Sequence, residues 1–320
     1  CKEYSILTDA QFGFVPGYGT HDAIFALHSI VSKSLRKGKR LYCCFIDFVK
    51  AFDSVSHYVL WQKMLKCGIS GNLLNLIKSM YSKLKTCVKL DGEFSDFFHC
   101  NVGLMQGESL SPFLYAIYVN DIEIELIKQG IEPYEVKLLN LYLFMYADDT
   151  VLFSESISEL HKIIVTVYDS SYKNGLDINL RKTKIVVFRN KGVLKENEKW
   201  YLNGKMIEMC DQFVYLGLLL NYNGTFTVTQ KTLSEQGRKA TFCLLSKIYD
   251  DCYNTETLMS LFDTYVTSIV NYGCEIWGFH KGADIETLHL YYLKRILKVR
   301  KTTVNHIVYF ELGRLPLYVN

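Results

Sequence analysis

The tetrapeptide Tyr146-Ala147-Asp148-Asp149 sets two adjacent carboxylates between apolar runs at 141–145 and 150–153. Branched and aromatic residues on both sides favour strands, and the polar pair between them marks a reversal. The pattern predicts a β-hairpin with a paired acid at its tip. Two carboxylates held side by side on a rigid turn suit a hard divalent cation, which takes oxygen ligands. For the tetrapeptide alone, a turn in which one Asp bonds its own backbone is an equal reading.

A second acid stands in a similar setting. Leu41-Tyr42-Cys43-Cys44-Phe45-Ile46 is a continuous apolar run of the kind that makes a buried strand, and it ends on Asp47. A carboxylate where a core strand meets solvent is one the scaffold holds still. Lys50-Ala51-Phe52-Asp53-Ser54 follows, then a helix expected from Ser56 as N-cap to Gly68 just past its end, with Leu60, Met64 and Cys67 on one face. Asp53 is expected to be structural, near the start of that helix, rather than a metal ligand.

Between the two acidic segments lies Gly103-Leu104-Met105-Gln106-Gly107-Glu108-Ser109-Leu110-Ser111-Pro112, a loop feeding a helix. Ser111 as N-cap and Pro112 at the first helical position predict its start, and Gly130 its end. Leu114, Ile117, Tyr118, Ile122 and Leu126 give a single helix one apolar face. Glycines ahead of a helix let backbone approach a ligand closely.

The ordered set resembles the reverse transcriptase domain of non-LTR (LINE-type) retrotransposons. The matching pieces are Gln11-Phe12-Gly13-Phe14, Ile46-Asp47-Phe48 with Ala51-Phe52-Asp53, Gln106-Gly107 with Leu110-Ser111-Pro112, Tyr146-Ala147-Asp148-Asp149, Asn179 with Lys182-Thr183-Lys184, and Tyr215-Leu216-Gly217. Tyr272-Gly273-Cys274-Glu275-Ile276-Trp277-Gly278 and Glu311-Leu312-Gly313-Arg314-Leu315-Pro316 look like the region after the polymerase core.

The resemblance implies an α+β, right-hand polymerase fold: a palm with an antiparallel sheet and helices, partial fingers and a helical, thumb-like C-terminal region. It implies an RNA-directed DNA polymerase that adds dNMP to a primer 3′-hydroxyl, with an RNA template, a DNA primer and dNTP as partners. Asp47, Asp148 and Asp149 would hold two Mg²⁺ ions, with Mn²⁺ as a substitute. Phe52 matches the aromatic ring under the incoming sugar, whose bulk would exclude a 2′-hydroxyl. Gln106 and Gly107 match the loop that contacts template and nucleotide sugar, and Ala147 would keep the hairpin thin beside the primer end. Lys182 looks like the proton donor to pyrophosphate, with Lys184 as a rival.

At 320 residues and 49% apolar content, the chain is long enough to bury a large core in two or so compact units. Its ten cysteines show no C-x-x-C spacing, so neither a disulfide framework nor a zinc ribbon is indicated, and reduced thiols of an intracellular protein, nuclear or cytoplasmic, are expected. His21 and His28 read as two residues of one helix. No apolar run approaches the length of a membrane span, so no membrane partner is expected. A net charge of +3 does not by itself identify a nucleic-acid binder. Two clusters say more: residues 32–40 hold five basic side chains and no acid, and 281–301 hold six basic and two acidic ones. Each could follow a phosphate backbone or be a solvated face.

The expected organisation is partial fingers at 1–40, a palm with interleaved fingers elements at 41–225, and a thumb-like helical region at 226–320. A helix is expected from about Ser158 to Lys173, closed by Asn174-Gly175. An Asn203-Gly204 hairpin and a strand at 213–220 are expected to end the palm. Helices are expected at 227–250, 255–272 and 284–299, the last with Asp284 as N-cap.

Departures from the family pattern define the alternative. The chain opens at Cys1 without the upstream fingers motif, so an N-terminally truncated copy is expected, with any remaining element domains or proteins as partners in a ribonucleoprotein. Val15 and Met105 stand where the family usually has arginine, a bidentate partner for phosphate or carboxylate. The alternative is a catalytically inactive, decayed remnant that keeps its fold and its nucleic-acid binding. A palm-domain RNA-dependent RNA polymerase is disfavoured by Phe52 and by the Leu110-Ser111-Pro112 helix start.

Overall fold

Every residue of β1 (Leu41–Ile46) is apolar and buried, and the first unit of the molecule is built around it. The structure is a computed structural model that describes residues 6–248, 253–278 and 282–317. It divides into two compact units, Cys1–Asp211 and Gln212–Asn320.

In the first unit, β1 lies at the middle of a five-stranded sheet with β2 (Leu143–Tyr146), β3 (Asp149–Ser154), β4 (Lys184–Phe188) and β5 (Glu208–Met209), in the order β5-β4-β1-β3-β2. All pairings are antiparallel except β4 with β5. Cys44 faces Leu152 on one side and Ile185 on the other, which fixes the register of the three central strands. Successive side chains of a strand point to opposite faces. Tyr42, Cys44 and Ile46 join the core formed with α4 (Ser111–Val119) and α6 (Ile157–Lys173), while α1 (Thr20–Arg36) also packs against β1 and β2. With helices packed on it and strands at both edges, β1 has no solvated face, hence its unbroken apolar run.

The expected α2 is His57–Lys66, with Ser56 at the N-cap and Gly68 at φ 81 just beyond its end; α3 (Gly71–Ser82) follows. The α6 helix starts one residue earlier than expected, and the Ser156 side chain caps it by accepting from the Glu159 N–H.

The helix expected to run unbroken from Pro112 is two helices, α4 and α5 (Asp121–Lys128), and the N-cap is Leu110 rather than Ser111. The break at Asn120 has a visible cause. The buried Lys63 Nζ donates to the Tyr118 carbonyl and pairs with Asp121 at 2.7 Å. The Asn120 side chain accepts from Thr8 N–H and donates to the Ile6 carbonyl, so the N-terminal segment is tied to the same point. Long-range bonds thus replace local helical ones.

The expected Asn203-Gly204 hairpin is present, with both residues at positive φ between Tyr201–Leu202 and Lys205–Met206. Much of the basic cluster at 32–40 is engaged within the fold: Arg40 grips the buried Glu198, Lys39 pairs with Glu155, and Lys33 donates to the Glu135 carbonyl.

The second unit opens with a strand pair, β6 (Gln212–Tyr215) and β7 (Leu218–Asn221), where a single strand was expected. The reversal falls at Leu216-Gly217, both at positive φ. Leucine is a poor turn residue, so the apolar run hid the turn. Helices α7 (Thr227–Lys247), α8 (Thr255–Phe262), α9 (Ser268–Val270), α10 (Cys274–Trp277), α11 (Ala283–Ile296) and α12 (Asn305–Glu311) follow. The expected helix over 255–272 is interrupted by a π-helical turn at Asp263–Thr267. Asp284 lies in the first turn of α11 rather than at its N-cap, which is Gly282; the end of the expected 227–250 helix lies outside the described residues. Glu286 anchors the C-terminal segment by accepting from His289 Nδ1, the Tyr309 hydroxyl and the Leu317 N–H. Although burial opposes its charge, these bonds hold its carboxyl below the ordinary range.

Candidate active site

Three neighbouring strands carry the acids. Asp47 directly follows β1, and Asp148 and Asp149 stand at the β2–β3 reversal, where Tyr146 pairs with Asp149 across a two-residue turn of Ala147 and Asp148. Ala147 adopts φ 55, the left-handed conformation that tight hairpin turns require. Because Ile46 pairs with Thr150, the end of β1 and the base of the turn lie side by side. This explains how acids a hundred residues apart in sequence come to one end of the sheet.

The hairpin is held from the other side by the Gln11-Phe12-Gly13-Phe14 segment. Met145 donates to the Ala10 carbonyl and accepts from Phe12 N–H, both at 2.8 Å. A Cβ on Gly13 would sit 2.4 Å from the Ala147 nitrogen. Only glycine lets this backbone lie directly on the turn that presents Asp148.

The acids interact electrostatically. Partial desolvation, then the negative charges of Asp148 and Asp47, raise the Asp149 carboxyl to about 6, although Asp149 as a residue is exposed. Among the described residues no group of three His, Cys, Asp or Glu side chains is set to hold a metal ion. The like charges that act on Asp149 are a state that bound positive charge would relieve.

Lys182 reaches the site through a local turn. Asn179 donates its N–H to the Asp47 carbonyl at 2.8 Å, and its own carbonyl receives the N–H groups of Lys182 and Thr183. Thr183 Oγ1 in turn accepts from the Asp47 N–H at 3.3 Å. This folds Lys182 back so that its Nζ lies 3.7 Å from Asp47 Oδ1, whereas Lys184, its rival, is engaged with Glu208.

Phe52 and the Gly103–Gly107 loop are held together by backbone hydrogen bonds. Leu104 N–H donates to the Phe52 carbonyl and Gly103 N–H to the Val55 carbonyl, so the loop is laced to the segment after Asp47. Gln106 Nε2 lies 3.1 Å from Asp53 Oδ1, which gives Asp53 a structural task, namely orienting the Gln106 amide. Gly107 is at φ 86 with open space around it, and Met105 is packed against the core.

The Phe52 ring stacks on Tyr115 with centroids 4.8 Å apart and planes at 16°. Tyr115 was not among the expected site residues. It lies on α4, which is buried on nearly every side, so no periodicity separates a residue facing the site from one facing the core.

The reverse transcriptase (RNA-dependent DNA polymerase) family matches residues 2–220. The chain is 24% identical over 299 residues to the RNA-directed DNA polymerase from mobile element jockey of Drosophila funebris, covering 90% of this chain and 31% of that protein. It is 25% identical over 224 residues to a retrovirus-related Pol polyprotein from the type-1 retrotransposable element R2 of Bradysia coprophila, covering 68% of this chain and 25% of that one. The chain thus spans about a third or less of the length of these curated relatives. Among solved structures, a telomerase from Candida albicans in complex with a TWJ fragment of telomeric RNA superposes with a TM-score of 0.53 at 13% identity, covering 99% of this chain and 56% of that one. The fold is therefore the α+β, right-hand polymerase fold anticipated from the motifs. With the family matching more than half of its length, the chain belongs to the reverse transcriptase (RNA-dependent DNA polymerase) family.

Proposed function

We propose that this chain is the polymerase portion of a non-LTR retrotransposon protein and transfers dNMP to a primer 3′-hydroxyl on an RNA template. The observation that carries the reading is the convergence of Asp47, Asp148 and Asp149 at one end of the sheet, with the Asp149 carboxyl raised to about 6 by desolvation and by its two acidic neighbours. The oxygen donors fit divalent ions of the kind the family uses, Mg²⁺ with Mn²⁺ as a substitute. When bound, such ions supply activation of the attacking hydroxyl and neutralisation of the leaving pyrophosphate.

The protein's own groups then have distinct tasks. Asp47 and Asp148 would hold such ions, and Asp149 would add to the same negative field. Lys182, whose Nζ lies 3.7 Å from Asp47 Oδ1, would give a proton to the leaving group. Phe52 offers a flat apolar wall where a deoxyribose fits and a 2′-hydroxyl would be desolvated against a ring. Gln106, oriented by Asp53, and Gly107 line the template side, and the small Ala147 leaves room for the primer terminus. RNA template, DNA primer and dNTP are the partners, with other parts of the same element in a ribonucleoprotein, in nucleus or cytoplasm. No helix among the described residues is long and apolar enough to cross a membrane. Residues 1–40, 41–225 and 226–320 would act as partial fingers, palm and thumb-like region.

The test is extension of an oligo(dT) primer on poly(rA) with dTTP and Mg²⁺, beside Asp148→Asn. Extension by the parent alone is expected. Equal extension by both proteins would sink the metal assignment. Failure of the parent to extend while it still binds the duplex would instead favour the inactive remnant, with Val15 and Met105 in place of arginines as the reason.

A further inference from the structure

The basic cluster at residues 32–40 lies at the other end of β1 from the acids: Arg40 precedes the strand and Asp47 follows it. Six residues at about 3.3 Å each set the two about 20 Å apart. Because β4 runs antiparallel to β1, with Phe188 opposite Leu41, the segment leaving β4 at Arg189 emerges beside Arg40. Two bonds staple the loops together. The Asn190 side chain donates to the Leu35 carbonyl at 2.6 Å, and Arg40 Nη2 donates to the Val193 carbonyl at 3.0 Å. Arg189 Nε shapes its own loop by donating to the Gly192 carbonyl at 3.1 Å. With Arg40 also gripping the buried Glu198, both arginines are used inside the fold.

Other cations on the same loops are not. Arg36, Lys37, Lys191, Lys195 and Lys199 are exposed, and among the described residues none of their side chains has an ion-pair or hydrogen-bond partner. Residues 36–40 and 189–199 together hold eight cationic side chains and two acids. After Glu155 and Asp211, the outside partners of Lys39 and Arg189, are counted, the surplus is four positive charges, more than the net +3 of the whole chain. Like charges gathered on stapled loops repel one another, a state that a polyanion would relieve.

A groove of about 660 Å³ opens at the same end, lined by Tyr42, His161, Asn197, Lys199 and Tyr201. Tyr42 ties it to the basic loops, since its hydroxyl donates at 3.0 Å to the same Glu198 that Arg40 holds. The acid on its wall, Glu155, is already paired with Lys39. Tyr201 is 46% exposed, so its ring is available to a ligand. A neighbouring hollow of about 520 Å³ is lined by Glu132 and Glu135 as well as Lys37 and Lys39, and its mixed charge bounds the basic surface on that side.

We propose that this end of the sheet is a second nucleic-acid-binding surface, remote from the acids. It holds an unpaired strand by its phosphates on Arg36, Lys37, Lys191, Lys195 and Lys199, and takes a base into the groove against Tyr201. Lysines on two loops are separate point charges, not a fork closing on one phosphate, and such an array suits a chain of phosphates. A ring at a groove stacks an unpaired base whatever its identity, whereas the bases of a duplex are not available to it. An acidic protein segment would satisfy the lysines but would leave the aromatic groove without a task. The surface goes beyond the polymerase reading, and its occupancy needs no turnover.

The probe is a short, unstructured, fluorescent oligonucleotide in RNA and DNA forms, titrated at several salt concentrations into protein saturated with a primer–template duplex. The parent is expected to bind it, with an affinity that falls as salt rises. The triple variant Lys37→Gln/Lys191→Gln/Lys195→Gln is expected to bind more weakly. It should lose about 2 from the slope of log K against log salt, at about 0.7 per phosphate contact on a single strand. Tyr201→Ala is expected to bind about tenfold more weakly with the slope unchanged, the loss of one base stack. Both variants should keep the parent's unfolding temperature and its kcat on a short primer–template, since the substituted side chains are exposed and stand away from Asp47.

No binding by the duplex-saturated parent, or an unchanged slope in the triple variant, overturns the proposal. Parent-like affinity in Tyr201→Ala, with polyglutamate competing as well as the oligonucleotide itself, overturns it in favour of an acidic protein partner. A joint fall of oligonucleotide binding and kcat would make the surface part of the polymerase cleft and overturn its separateness. The form bound more tightly identifies the strand, RNA through its 2′-hydroxyl or DNA without it. A parent that fails to extend a primer counts against the polymerase reading alone and leaves this binding comparison intact.

Discussion

Asp149 is where the electrostatics of the site become measurable without turnover. Its carboxyl titrates near 6 in the folded protein against an ordinary value of 3.8. Between those values the folded protein holds a proton that the unfolded chain has released. Stability from this group is therefore greatest at low pH and is lost as pH rises through about 6. Asp149→Asn removes the penalty. It is expected to gain about 1 kcal/mol at pH 7, a figure reduced from the full linkage value because the residue is solvent-screened. The gain should vanish near pH 4, while primer extension is lost. Unfolding midpoints at the two pH values check this, and equal gains at both would show that charge repulsion is not the cause. Asp47, Asp148 and Asp149 were legible in the sequence because a carboxylate interrupting an apolar run is conspicuous. Tyr115 was not, since an aromatic on a wholly buried helix looks like its neighbours. The contact between Gly13 and the Ala147 turn was also hidden, because nothing in a tetrapeptide tells which distant backbone it will press against.

At the scale of elements, sequence signals located α2, α6, most of α7 and the acid-bearing hairpin, whereas α3 and α12 were not anticipated and the interruptions of the expected helices were not located. α4 and α5 read as one helix because Leu114, Ile117, Tyr118, Ile122 and Leu126 keep one face through Asn120. What divides them is a partner from α2, the Lys63 ammonium on the Tyr118 carbonyl. Burial lowers the Lys63 pKa while the neighbouring Asp121 opposes that shift. Lys63→Met is expected to cost about 1–3 kcal/mol by leaving that carbonyl unpaired, with little added from the half-exposed Asp121. A urea titration of the variant measures it. An unchanged midpoint would mean that Asn120 and its bonds to Ile6 and Thr8 suffice to set the break. The β6–β7 turn was missed for a related reason, since Leu216 at φ 47 is a conformation imposed by its surroundings and not one leucine prefers.

For the whole molecule, the second unit was legible in the sequence chiefly as a series of helices. Its packing depends on Gly237 in α7. A Cβ there would lie 2.3 Å from Val270 Cγ1 and 2.9 Å from Leu288 Cδ2, contacts with α9 and α11 that admit no further atom. Glycine is normally a liability within a helix, worth about 1 kcal/mol against alanine. Here the gain in helix propensity from Gly237→Ala is outweighed by overpacking of two neighbouring helices, which costs about 1–3 kcal/mol. A net loss of up to about 2 kcal/mol is therefore expected. Because the clash lies wholly inside the second unit, the loss should be confined to it. Hydrogen exchange should show weakened protection in α7, α9 and α11, with β1, β3 and β4 at parent levels. Equal weakening of both sets would show that the two units open as one cooperative body.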